Sequence, residues 1–92
     1  MKNFKIRILG KVERTGFHYF VKQLAQLNNI NGFVDHPSKG GITIEAEGDE
    51  SDMNRFLEYC LEGPNGSKIA STNICEQAIK KHTSFSIIET PG

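Results

Sequence analysis

Residues 10–21 read GKVERTGFHYFV. The run before them, NFKIRIL over 3–9, alternates: Phe4, Ile6 and Ile8 take one face and Lys5 and Arg7 the other, the two-residue period of a half-buried strand. The run after them has a helical period, with Phe17, Phe20, Val21, Leu24 and Ala25 at i, i+3, i+4, i+7 and i+8. A strand therefore passes into a helix through a short loop with glycines at 10 and 16. The first amides of a helix lack intrahelical partners and its N-terminus carries partial positive charge, so such a junction can hold a phosphate or carboxylate. Glycine is common in α/β turns, however, and the spacing alone names no ligand.

The rest of the chain continues the alternation of strand and helix. Asn28-Asn29 predicts the helix end, because asparagine tolerates the left-handed conformation of a C-terminal cap; Asn28 then needs a partner or exposure. Gly32–Asp35 reads as a short strand, Pro37 to Gly41 as a turn, and Ile42, Ile44 and Ala46 alternate with Thr43, Glu45 and Glu47 in a third strand. Asp49, Glu50 and Ser51 mark a helix start. Met53, Phe56, Leu57, Cys60 and Leu61 repeat the helical stripe up to Gly63-Pro64. Ser67–Ile74 is a weaker fourth strand and Thr83–Ile88 a fifth, with Phe85 and Ile87 on one face. The order β-α-β-β-α-β-β, with two amphipathic helices, predicts a ferredoxin-like α/β sandwich: a mainly antiparallel sheet of four to five strands with both helices on one face.

Composition narrows the function classes. Ninety-two residues predict one domain, 1–92, with a small core. Eleven basic and eleven acidic residues balance to zero net charge, which argues against a nucleic-acid or anionic-membrane footprint. The outward face of the third strand carries acidic Glu45 and Glu47, whereas a sheet that binds RNA wants exposed aromatics and a basic face. No apolar run approaches the ~20 residues of a membrane span, and MKNFKIRILG is too short and too alternating for a signal peptide, so a cytoplasmic monomer is the expectation. Cys60 and Cys75 are too few for a disulfide framework, and Cys60 lies on the apolar stripe of its helix.

GKVERTGFHYFV resembles the acylphosphatase signature, usually Gly-x-Val-Gln-Gly-Val-x-Phe-Arg: Gly10, Val12 and Phe17 are in register. Gly32-Phe33-Val34-Asp35-His36, followed by PSKGGITIEAEG, is similar to the family's Gly-Trp-Val-Arg-Asn segment, and Gly63-Pro64 matches its third landmark. The resemblance spans roughly residues 3–88. It implies the same fold, a small acyl phosphate or phosphate-like anion as partner, no cofactor, and hydrolysis of the carboxyl-phosphate bond. It also implies that the loop Glu13, Arg14, Thr15, Gly16, Phe17 and His18 cradles the phosphoryl group through backbone amides.

The departures fall where the resemblance places the chemistry. The family's phosphate-binding arginine falls on His18 and its water-orienting asparagine on His36, while its loop Gln and Gly fall on Glu13 and Arg14. Arginine presents a planar fork of donors and is always charged. Imidazole is shorter, offers one useful donor, and with an ordinary pKa of ~6.5 is about a quarter cationic at neutral pH. Loss of a preorganised donor in comparable sites costs roughly 10²–10³ in rate. The expectation is weak or absent hydrolysis with the anion loop kept; the alternative is a non-catalytic anion-binding or regulatory module. Arg14 could restore the missing cation, or pair with Glu13 at the surface. Two histidines at facing positions raise zinc, but zinc needs three or four protein ligands and no third is evident, so no metal is expected.

Overall fold

The computed structural model describes residues 1–12, 15–35 and 40–88. Its elements are β1 (Lys2–Lys11), α1 (Phe17–Leu27), β2 (Asn31–Asp35), β3 (Ile42–Gly48), α2 (Glu50–Glu62), β4 (Lys68–Gln77) and β5 (Phe85–Ile88). The sheet order is β4-β1-β3-β2-β5; β1 pairs antiparallel with β3 and β4, β2 antiparallel with β3, and β2 parallel with β5. This is the ferredoxin-like α+β fold, with the two helices on one face of a mixed sheet.

The two-residue alternation builds the layers. Ile6 and Ile8 of β1, Val34 of β2 and Ile42, Ile44 and Ala46 of β3 point to the helical face and are fully buried. Phe17, Val21 and Ala25 of α1 and Met53, Phe56 and Cys60 of α2 meet them from above. Burying side chains such as Phe56 and Ile44 stabilises by roughly 1.5–3 kcal/mol each. Burial also pushes the Cys60 thiol up to about 12, so this cysteine is a small hydrophobe in the core.

The element ends follow the sequence cues with measured differences. α1 stops at Leu27; Asn29 takes φ 57, and the Asn28 Nδ2 group donates to Leu24 O at 2.8 Å, which supplies the partner that position needed. α2 stops before Gly63, whose N–H reaches Tyr59 O at 3.3 Å. β4 runs on to Gln77, three residues past the expected end, because β1 continues to pair with it as far as Asn3. β5 begins at Phe85, two residues later than expected. Glu45 and Glu47 reverse one expectation: they point away from the helices, yet are only 4% and 2% exposed. The chain between β4 and β5 covers them.

Candidate functional site

β1 loses regular register with β4 between Leu9 and Gly10 and ends at Lys11. Val12 is buried immediately afterwards. The Thr15 hydroxyl donates back to Val12 O at 2.6 Å, closing the described part of the loop on itself. Gly16, at φ 71 and ψ 24, caps α1 in the left-handed region, and its carbonyl accepts the Phe20 N–H at 3.0 Å. Phe17 is buried and meets Phe20 edge-on at a ring separation of 6.1 Å. Val12 on one side and Phe17 on the other thus tie the loop to the core.

His18 is the second residue of α1 and is partly exposed, with its ring 4.4 Å from that of Tyr19 at 40°. Across the sheet, β1 and β2 are both antiparallel to β3 and therefore run in the same direction. Thr43 of β3 is the register partner of both Arg7 and Asp35, so β1 and β2 run out toward the same end of the sheet. Arg7 is a cation at this end that sequence reading left unused. Its Nη1 donates to Thr43 Oγ1 at 2.9 Å and its Nη2 to Gly40 O at 3.0 Å, fastening the start of β3. The alternation of NFKIRIL signalled its outward face, but not these partners.

An acylphosphatase family profile matches residues 4–87. The chain belongs to the acylphosphatase family. It is 33% identical over 87 residues to an acylphosphatase of Thermotoga maritima, covering 95% of this chain and 97% of that one. The crystal structure of acylphosphatase from Bacillus subtilis superposes with a TM-score of 0.92 at 31% identity, covering 96% of this chain and 99% of that chain. A structure of full-length HypF in a phosphate- and nucleotide-bound form matches 99% of this chain and 12% of its own length, at 34% identity and a TM-score of 0.89.

Of the residues that the acylphosphatase resemblance singles out, Thr15, Gly16, Phe17 and His18 lie together at the β1–α1 junction. Glu13, Arg14 and His36 lie outside the described residues. The third histidine, His82, sits on the helix-free face of the sheet, paired with Glu45, its ring 6.2 Å from Phe33. Among the described residues no three His, Cys, Asp or Glu side chains gather as metal ligands, and no helix is long and apolar enough to cross a membrane.

Proposed function

We propose that this chain is an acylphosphatase-family protein that keeps an anion-cradling loop and hydrolyses acyl phosphates weakly or not at all. The observation that carries this reading is the N-terminus of α1. Glycine at the cap supplies no side chain, and the first turn holds no acidic residue, whereas the first turn of α2 holds Glu50 and Asp52. A helix whose positive end is not met by its own acidic side chains suits a small anion. On this reading residues 13–18 form the cradle, His18 replaces the arginine that would grip the phosphoryl oxygens, and His36 replaces the asparagine that would hold the water. Positioning and electrostatics carry this class of reaction, so a shorter side chain with a single donor at His18 weakens it most. His36 is less damaging, because imidazole can still hold or activate water near neutral pH. The same reading takes residues 1–92 as one domain, a cytoplasmic monomer acting on a small acyl phosphate without metal or cofactor.

The test is hydrolysis of a simple aryl acyl phosphate from about pH 5 to about pH 8, for the wild type, His18→Arg, His36→Asn and the double variant. The expected result is little or no wild-type turnover and a gain of roughly 10²-fold or more in the double variant. A wild type whose activity fades as the pH rises would place the phosphate cation on His18. Activity that is flat with pH and lost in Arg14→Ala would place it on Arg14. A double variant without activity that still binds inorganic phosphate would favour the binding module; one that binds no phosphate would end the reading.

A further inference from the structure

β4 and β5 are the two edges of the sheet, so residues 78–84 must cross it from side to side. They cross on the face opposite the helices, as a strap over Asn3 of β1, Glu45 and Glu47 of β3, and Asn31 and Phe33 of β2. Two buried carboxylates hold it. Glu47 Oε1 accepts the His82 backbone N–H at 2.7 Å. Its Oε2 accepts the Lys80 backbone N–H at 2.6 Å and Asn3 Nδ2 at 3.0 Å. Glu45 Oε1 accepts Lys80 Nζ at 2.7 Å and Gln77 Nε2 at 2.8 Å, and its Oε2 pairs with the His82 ring. Asn31 Nδ2 adds a bond to His82 O at 3.1 Å. All four carboxylate oxygens are thus taken by the chain's own donors, so the cluster is a fastening and offers no site to a ligand.

We propose that Glu45 and Glu47 latch residues 78–84 to the sheet, and that protonating them releases this strap together with β5 while β1, β3 and the helices stay folded. β5 has four residues and one strand partner, β2, and Phe85 is its one deeply buried side chain. The Gly32 N–H bond to Ser84 O, 2.8 Å, joins the strap's end to β2. Once the carboxylate bonds are gone, the segment keeps the Asn31–His82 and Gly32–Ser84 bonds, a four-residue ladder and the burial of Phe85 against α1 and α2.

Charge favours the same release. Glu45 and Glu47 face Lys80 and His82 on the strap, with Lys81 between them. Lys5 is the register partner of Glu45 on β1, and the Cys75 thiol of β4 is in turn the partner of Lys5. Arg7 and Asp35 lie one pair farther along the same face; β2 otherwise presents Asn31 and Phe33 there. Burial raises the Glu45 pKa, but bonds from Lys80, His82 and Gln77 more than offset it and hold the group at about 2; Glu47 is also lowered, by Asn3 and the Lys80 and His82 amides against the penalty of burial. Neutral carboxyls would leave the strap's cations without counter-charge.

The test is amide hydrogen exchange by NMR on the full chain. In Glu47→Gln at neutral pH, protection at Lys80, His82, Gly32 and β5 is expected to fall about tenfold or more relative to Ile6 and Ile44. The unsubstituted chain is expected to show the same selective loss as acid is added, a readout that needs no variant to fold. Loss of protection at the strap only in step with Ile6 and Ile44, or no selective loss in either experiment, would overturn the proposal.

Discussion

Gly10 and Gly16 frame the junction between β1 and α1, and they are glycine for different reasons. Gly10 has φ 145, and a β-carbon there would lie 2.1 Å from Lys68 O and 2.7 Å from Ala70 N, both backbone atoms of β4. Gly16 has φ 71, and among the described residues beyond its own helix backbone and chain neighbours no atom lies within 4 Å of a β-carbon. Alanine at 16 therefore meets only the left-handed backbone penalty, about 1–2 kcal/mol. Alanine at 10 must push two paired strands apart, which belongs with the severe class of substitutions, about 4 kcal/mol or more. Urea midpoints of Gly16→Ala and Gly10→Ala should fall in that order; equal losses would mean that β4 yields at its irregularity at little cost. The two variants should also separate in function. Gly16→Ala strains the proposed anion loop and should weaken phosphate binding at modest cost in stability, while Gly10→Ala should lose both together.

At the scale of elements, the acidic strand ITIEA separates what sequence could give from what it could not. Its apolar alternation placed Ile42, Ile44 and Ala46 against the helices, because that information is local and repeats every second residue. The burial of Glu45 and Glu47 was not legible: their partners Gln77, Lys80 and His82 lie 32 to 37 residues along the chain, at the end of β4 and in the connection after it, which has no periodic pattern. The candidate site divides in the same way. The strand–loop–helix junction was readable from Gly10, Gly16 and the helical stripe, whereas the bonds of Arg7 to Thr43 and Gly40 depend on strand pairing. The buried carboxylate also sets a direction for pH dependence. Glu45 is held at about 2 against an ordinary 4.5, so the unfolded chain binds the proton more readily. Its contribution is complete above about 4.5 and is lost as the pH falls toward about 2. Urea stability should be steady near neutral pH and drop across that window. Glu45→Gln should be less stable at neutral pH and show a shallower acid slope; an unchanged slope would show that Glu45 does not carry it.

For the whole molecule, the two cysteines distinguish opening of one part from unfolding of all of it. Cys60 is fully buried on α2, on the helical side of the sheet, with its thiol pushed up to about 12. Cys75 is exposed on β4, an edge strand. A thiol reagent needs the thiolate and a path to it, and Cys60 has neither in the folded state. Release of the strap uncovers the opposite face of the sheet and pulls at Phe85, whose ring is 6.4 Å from Phe56, but it leaves α2 seated on β3 and β4. Cys75 should therefore react at once, and Cys60 roughly a thousandfold or more slowly, at a rate set by global stability. Glu47→Gln should speed exchange at the Lys80 and His82 amides by a larger factor than it speeds labelling of Cys60. If the two rates rise by the same factor, the strap and the helical layer open as one unit; if only the amides respond, the carboxylate latch governs a local opening above an intact core.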